Sequence, residues 1–144
     1  MRLWHQKLIP FLDRQRLLGQ HRECCALRGK GWGKKHATVD YVFTHSPELL
    51  VAYHWLVMDE MRRRGYKPDE SWYNCDYRGS TLGIDKGLCM FHTVAGFASA
   101  ANRCGLTIYH EHNDAYLQEC INLLKEKQAP IDWEKVATNG LEKV

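Results

Sequence analysis

Long apolar runs are the first feature that this sequence lacks. No stretch reaches the roughly 18 consecutive apolar residues that a membrane-spanning helix needs. Charged or polar residues interrupt every apolar stretch near the N-terminus, whereas a signal peptide needs a continuous apolar core there. We therefore expect a cytoplasmic protein that does not enter a membrane.

Cysteine pairs at metal-ligand spacing are also missing. The six cysteines form no C-x-x-C motif, and Cys24 and Cys25 are adjacent. Structural zinc sites are usually built from cysteine or histidine pairs at such short spacings. In a cytoplasmic protein we expect thiols that are reduced and mostly buried, and we predict no metal and no other cofactor.

Internal repeats and low-complexity segments are absent as well, which excludes repeat proteins and disordered chains. The chain has 144 residues, of which 44% are hydrophobic. That is the size and composition of one globular domain with a substantial core. We predict a single compact domain over residues 1–144.

Acidic residues are scarce in the first 36 residues, where only Asp13 and Glu23 oppose nine lysines and arginines. This segment carries a formal charge of +7, whereas the other 108 residues carry −4. Such asymmetry indicates a polyanionic partner, most often nucleic acid. A solvated basic surface without a function is equally compatible with the charge alone.

A glycine-rich basic stretch ends this segment. Residues 28–36 read Arg-Gly-Lys-Gly-Trp-Gly-Lys-Lys-His. Glycines let a backbone approach phosphates closely, lysines neutralise them, and Trp32 can stack on a base. No predicted strand precedes the stretch and no Lys-Ser/Thr pair ends it, which excludes a nucleotide-binding P-loop. Its candidate DNA ligands are Arg28, Lys30, Trp32, Lys34 and Lys35.

Four segments have helical periodicity. Their expected bounds are Asp13–Leu27, Pro47–Arg64, Leu88–Ala101 and Asn113–Lys127. Pro10 argues against a helix in the apolar run before Asp13, and the alternation of Val39, Tyr41 and Phe43 is too short to define a strand. We predict an all-α fold of three to four helices with long loops.

The N-terminal amine offers a nucleophile. Its ordinary pKa is about 8, well below that of lysine, and the neighbouring cation Arg2 lowers the pKa further. A free amine attacks an aldehydic carbon to form a Schiff base, while a nearby carboxylate moves the protons. Glu23, the single acid among the cations of the first helix after Asp13, is the candidate carboxylate. The alternative for Glu23 is a surface ion pair with a neighbouring cation.

Three segments and the opening Arg2-Leu-Trp carry a family resemblance. They read RLLGQHRE over residues 16–23, MDEMRRRGY over residues 58–66, and a C-terminal helix followed by PIDW at residues 130–133. Together they resemble the pyrimidine-dimer DNA glycosylase family, typified by a small phage enzyme. The first segment is similar to the Arg-Glu catalytic helix of that family.

The resemblance implies a DNA-repair enzyme that removes a dimerised pyrimidine with its N-terminal amine and then cuts the backbone by β-elimination. On this chain the nucleophile would be the Met1 amine, and the acid–base residue would be Glu23. Arg2 and Arg22 would hold phosphates. The partner would be double-stranded damaged DNA, and we expect a monomer. The chain differs from the phage enzyme at its first residue. The phage enzyme exposes a threonine amine, whereas a side chain as bulky as that of Arg2 favours retention of Met1. The resemblance therefore leaves undetermined which DNA lesion is the substrate.

Two functions from other classes are compatible with the sequence. A nucleic-acid-binding protein without catalysis would need the basic surface alone. A metal-dependent hydrolase would use His110, Glu111 and His112 with a distant cysteine or histidine. Borohydride trapping on abasic DNA identifies the enzyme, since only an imine becomes a permanent cross-link, and metal analysis identifies the hydrolase.

Overall fold

The computed structural model describes residues 2–29, 38–86 and 94–141. Five α-helices run through these residues: α1 (Arg14–Arg28), α2 (Pro47–Arg63), α3 (Val94–Arg103), α4 (Asp114–Glu126) and α5 (Trp133–Thr138). Three short 3₁₀ helices cover Gln6–Phe11, Asp40–Thr44 and Glu70–Tyr73. The described residues contain no β-strand, only an isolated bridge between Tyr77 and Ile84. The all-α prediction is confirmed, although the α-helices outnumber the expected three to four.

Helix α2 is the centre of the packing, in contact with α1, α3 and the first two 3₁₀ helices. Ser46 caps it by accepting a hydrogen bond from the Glu48 amide, and Pro47 occupies the first turn. Both features favour a helix start, because the serine oxygen satisfies a free backbone amide and a proline in the first turn loses no helical hydrogen bond. Its apolar stripe at Leu50, Tyr53, Val57 and Met61 is buried as expected.

Helix α1 begins one residue after Asp13, as predicted, but the Asp13 carboxylate pairs with Arg16 and does not cap the helix. Its buried stripe contains Leu17, Gln20, Cys24 and Leu27. Gly29 follows the helix where a Cβ would lie 3.3 Å from the Arg78 carbonyl oxygen. That close approach explains why a glycine stands at this position.

Two short segments form 3₁₀ helices that the sequence did not predict. The apolar run with Pro10 is a 3₁₀ helix, capped by the His5 ring, which accepts a hydrogen bond from the Lys7 amide. A single proline is tolerated because a 3₁₀ turn this short loses only one backbone hydrogen bond. The alternating residues Val39, Tyr41 and Phe43 belong to another 3₁₀ turn, since no partner strand lies beside them in the described chain.

The helices of the C-terminal half lie close to their predicted positions in the described residues. Asn113 caps α4 by accepting from the Tyr116 amide, and the predicted apolar stripe of α4 is buried. Helix α3 runs two residues beyond the predicted Ala101, while the predicted start at Leu88 lies outside the described residues. A fifth helix, α5, occupies the expected tail.

No disulfide joins the five cysteines that the structure describes, and only Cys24 and Cys120 are buried. The expectation of mostly buried thiols is therefore wrong for the other three. None of the described helices combines the length and apolarity needed to cross a membrane.

The extended N-terminal segment enters the hydrophobic core. Leu3 is fully buried, and Trp4 is 9% exposed. The Leu3 carbonyl accepts a hydrogen bond from the Tyr116 hydroxyl of α4, and the Trp4 carbonyl accepts one from Tyr53 of α2. These contacts fix the beginning of the chain beside the helices that build the candidate site.

Candidate active site

One buried glutamine links the start of the chain to α1. The Oε1 atom of Gln20 accepts hydrogen bonds from the Trp4 amide at 2.7 Å and from the Tyr53 hydroxyl at 3.1 Å. Its Nε2 atom donates to the Arg2 carbonyl at 3.1 Å and to Glu23 Oε2 at 3.0 Å. Gln20 therefore fixes the N-terminal segment and orients the Glu23 carboxylate at the same time.

A pocket of about 310 Å³ opens beside this glutamine. It is lined by Arg2, Trp4, Glu23, Thr38, Leu123 and Lys127. The Arg2 guanidinium lies 5.6 Å from the Tyr116 ring centre and 3.7 Å from the exposed Glu119 carboxylate. We call this site the Glu23 pocket. Its described lining combines one carboxylate and two cations with apolar side chains, which suits a sugar-phosphate ligand.

Glu23 lies partly buried at the edge of this pocket. Burial is the largest influence and raises the pKa of its carboxyl group; hydrogen bonds from the Arg2 backbone and Gln20, and the charge of Arg22, lower it by less. The net shift is upward. A carboxyl group with a raised pKa is suited to exchange protons near neutral pH.

Met1, the expected nucleophile, lies outside the described residues. Arg2, the next residue, is described: its backbone carbonyl accepts a hydrogen bond from Gln20, which also donates to the Glu23 carboxylate.

The expected phosphate ligands divide into three groups. Arg2 lines the Glu23 pocket, and Arg22 is exposed on α1 beside Glu23. Lys30, Trp32, Lys34 and Lys35 lie outside the described residues.

Arg28 requires a correction, because its side chain is only 4% exposed. The guanidinium donates to the carbonyl oxygens of Trp72, Asn74 and Tyr77 and to Nδ1 of His54. It also lies 5.1 Å from the Trp72 ring centre. A guanidinium whose donors are used in this way holds the 66–86 loop against α1 and is not available to a phosphate.

The predicted metal set around His110, Glu111 and His112 is not assembled. His112 is buried, with Nδ1 accepting from the Gln6 amide at 3.1 Å and Nε2 donating to the Tyr41 hydroxyl at 2.8 Å. Both ring nitrogens are therefore used. His110 is 79% exposed and lies against Glu111. His110 is open to solvent, whereas His112 is buried and hydrogen-bonded at both ring nitrogens, so the hydrolase interpretation loses one of its ligands.

Sequence reasoning missed Gln20 and Lys127. Gln20 occupies a core position between Leu17 and Cys24 on the buried stripe of α1, and a polar residue in an apolar stripe was the available signal. Lys127 follows α4 as its C-cap, where a cation is favourable on electrostatic grounds alone, so its residue type is no signal for a pocket. Its approach to Glu23 depends on how α4 packs, which no local pattern contains.

A comparison with known protein families matches the N-terminal half of the chain, which contains Arg2, Gln20 and Glu23. The family model for pyrimidine dimer DNA glycosylases matches residues 1–74, about half of the 144 residues. No curated protein and no solved structure matches significantly. The matched region contains Arg2, Gln20 and Glu23, with all of α1 and α2. The chain belongs to the pyrimidine dimer DNA glycosylase family.

Proposed function

We propose that this protein is a DNA glycosylase with abasic-site lyase activity, in which the Met1 amine is the nucleophile and Glu23 transfers protons. Its substrate is double-stranded DNA with a pyrimidine dimer or a related lesion, bound by a monomer. Family membership supports the glycosylase class. The lyase step and the Schiff base go beyond that membership and rest on the Glu23 pocket.

The observation that carries the proposal is the arrangement around Gln20. Its amide nitrogen donates to both the Arg2 carbonyl and the Glu23 carboxylate. Residues 2–4 and Glu23, the one carboxylate among the described residues that line the pocket, are thereby held together. A reaction that needs an amine and a proton-transfer group within contact distance depends on this kind of fixed geometry.

The chemistry follows from those two groups. The amine nitrogen forms a bond to C1′ of the damaged nucleotide, the glycosidic bond breaks, and the base departs with that electron pair. The nitrogen passes one of its protons to the departing base, and protonated Glu23 gives its proton to the sugar ring oxygen as the ring opens to a protonated imine. The resulting carboxylate then removes a C2′ proton, and the electron pair expels the 3′ phosphate. A raised pKa suits Glu23 to both roles.

Cations around the pocket supply binding. Arg2 and Lys127 line it and Arg22 is exposed beside Glu23, so we assign these three residues to phosphates on either side of the lesion. Lys30, Trp32, Lys34 and Lys35 keep their predicted roles in DNA binding.

A comparison of tagged proteins tests the proposal. An N-terminal extension converts the Met1 amine into an amide, which is not nucleophilic, whereas the same tag after Val144 leaves the amine free. We expect borohydride to cross-link the C-tagged protein to abasic DNA and to leave the N-tagged protein uncross-linked. Proteolytic removal of the N-terminal tag that restores Met1 should restore the cross-link.

Two outcomes contradict the proposal. Equal trapping of both tagged forms would move the nucleophile to a lysine, with Lys34 and Lys35 the next to replace. DNA binding without trapping in any form would leave a binding protein without catalysis. Parallel reactions on dimer-containing and abasic DNA separate glycosylase from lyase activity, because only the first substrate requires base removal.

A further inference from the structure

Three side chains with metal-binding atoms meet away from the Glu23 pocket. His45 Nε2 lies 2.9 and 3.0 Å from the two carboxylate oxygens of Glu111. His110 Nε2 lies 3.3 Å from Glu111 Oε2. All three ligand atoms fall within 4.8 Å of one another. None of the three residues lines the Glu23 pocket.

Buried neighbours hold the two segments that carry these residues. Tyr109 is fully buried, and its ring centre lies 5.5 Å from that of His45. His112, on the other side of His110 and Glu111, is 2% exposed and hydrogen-bonded at both ring nitrogens. The turn is thus anchored at both ends, while the His110 side chain, 79% exposed, remains open to solvent.

We propose that His45, His110 and Glu111 form a binding site for a divalent transition metal, with Zn²⁺ the best fit. Zinc binds imidazole nitrogen and carboxylate oxygen at about 2.0–2.2 Å, and ligands at tetrahedral angles then stand about 3.3 Å apart. His45 Nε2 and His110 Nε2 lie 3.0 and 3.3 Å from the same carboxylate oxygen, Glu111 Oε2, which is close to that value. Two histidines and one carboxylate leave a fourth position for water.

A second cluster, His21, Cys25 and His54, has a similar composition but a different hydrogen-bond pattern. Arg28 is always a donor, so its contact with His54 Nδ1 at 2.9 Å makes that nitrogen an acceptor. His54 Nε2 must then carry the proton and donate to His21 Nδ1 at 2.8 Å. Both imidazole lone pairs of that cluster are already used inside the protein, whereas Nε2 of His45 and Nε2 of His110 lie against the Glu111 carboxylate, which is itself a metal ligand.

The proposed ion joins two parts of the chain that are distant in sequence. His45 immediately precedes the cap of α2, and His110 and Glu111 lie in the turn before α4. A ligand that binds only the folded state stabilises it in proportion to the logarithm of its concentration. The ion would therefore stabilise the packing of α4 against the rest of the protein without taking part in chemistry at Glu23.

The test measures Zn²⁺ affinity of the full-length protein by competition with a chromophoric chelator, together with the melting temperature. We expect 1:1 binding, a melting temperature that rises with Zn²⁺, and at least a tenfold loss of affinity in His110→Ala and in Glu111→Gln. Both replacements are at accessible positions and should leave the fold intact. Cys25→Ser, which alters the other cluster, should bind Zn²⁺ like the unmodified protein.

Cobalt identifies the ligands directly. The Co²⁺ form should show visible d–d absorption without a thiolate charge-transfer band, since the site contains no cysteine. A thiolate band, or loss of binding in Cys25→Ser alone, would place the metal at the other cluster. Equal affinity in all variants would indicate adventitious binding, and no binding at all would reduce the cluster to an ion pair. Either result overturns the site. Borohydride trapping on abasic DNA should be the same with and without a chelator.

Discussion

Two polar regions of this molecule have the same kinds of atoms but use them differently. The first is the Glu23 pocket. The second, which we call the histidine cluster, consists of His5, Gln6, Tyr41 and His112. In the cluster, His5 Nε2 donates to the His112 carbonyl and His5 Nδ1 accepts from the Lys7 amide. His112 Nδ1 accepts from the Gln6 amide, and His112 Nε2 donates to the Tyr41 hydroxyl. Gln6 Oε1 accepts from the Ile108 amide at 2.7 Å.

The Glu23 pocket is organised by an equally well-satisfied residue, Gln20, but the charged groups that it positions face an open volume. Polar groups that satisfy one another stabilise one arrangement of the chain. Polar groups that are held in place and left open to a pocket can act on a ligand. The difference separates residues that build the fold from candidates for chemistry more reliably than charge or residue type does.

Burial also gives the two regions opposite pH behaviour. It lowers the pKa of His5 to about 4 and that of His112 to about 3, because desolvation disfavours the charged imidazolium. It raises the pKa of Glu23 for the same reason. The histidine cluster therefore stabilises the protein above pH 6.5 and loses that contribution in acid, whereas ionised Glu23 destabilises it as the pH rises.

The largest expected effect concerns Glu23→Gln. The glutamine can still accept the hydrogen bond from Gln20 but cannot exchange a proton, so turnover on abasic DNA should fall by about 10²–10⁴-fold. DNA affinity should be unchanged. Urea unfolding at neutral pH should show equal or greater stability, since a carboxylate with a raised pKa is removed. Asp13→Asn changes the other acid of the basic segment and serves as the control. Near-normal cleavage by Glu23→Gln would exclude Glu23 from the mechanism.

Replacement of Arg28 tests whether buried polar groups maintain the fold. Arg28→Ala leaves three carbonyl groups and His54 without their guanidinium partner, so we expect a loss of about 3–5 kcal/mol in the free energy of unfolding. Arg14, on the same helix, is exposed and lies over the Tyr66 ring at 5.6 Å. Arg14→Ala should cost less than about 1 kcal/mol. If Arg28→Ala has an unchanged free energy of unfolding but a lower affinity for DNA, the original assignment of Arg28 to a phosphate is right.

Acid should destabilise the protein through the histidine cluster. In the unfolded chain His112 is protonated below about pH 6.5, whereas in the folded protein it is protonated only below about pH 3. Between these values the free energy of unfolding falls by at most about 1.4 kcal/mol per pH unit for this residue. His112→Gln keeps an acceptor and a donor, and it should be less stable at pH 7.5 but lose less between pH 6.5 and 4. Exposed His110→Ala, measured like the other proteins in the presence of a chelator, is the control. Identical pH profiles for His112→Gln and the unmodified protein would contradict this role.

The smallest expected effect is electrostatic. Each neutralised phosphate contributes about −0.9 to the slope of log affinity against log salt concentration. Arg22→Ala should therefore flatten that slope by about one unit, as measured by fluorescence anisotropy with abasic duplex. Arg103→Ala removes an exposed cation at the end of α3 that does not line the pocket, and it should leave the slope unchanged. A slope that does not respond to Arg22→Ala would exclude a phosphate contact there.

Local patterns predicted the helices because capping and periodicity are short-range effects. Ser46-Pro47 and Asn113 mark helix starts by hydrogen bonds within one turn, and the buried stripes of α2 and α4 repeat at helical spacing. The 3₁₀ turn at Asp40–Thr44 was not predictable in this way. Its alternating apolar residues also fit a strand, and only the absence of a neighbouring strand among the described residues decides between them.

The candidate site was predictable only in part. The resemblance of residues 16–23 identified Arg22 and Glu23, and the chain order placed Arg2 near the amine. Neither pattern contained Gln20 as the link between them or Lys127 at the pocket wall. Charge counting also assigned Arg28 to DNA, and the His110-Glu111-His112 motif left a metal-dependent hydrolase open as an alternative, since a sequence shows residue types but not how deeply each is buried.

The sequence by itself therefore determined the all-α class, the bounds of the main helices, the cationic N-terminal segment and, through short motifs, the family. Each depends on residues that are close along the chain. Only the tertiary structure decided which polar side chains are satisfied inside the protein and which face a pocket. That distinction depends on contacts such as Gln6 with Ile108 and Arg28 with Trp72, which form when distant segments pack and their hydrogen-bonding groups leave water.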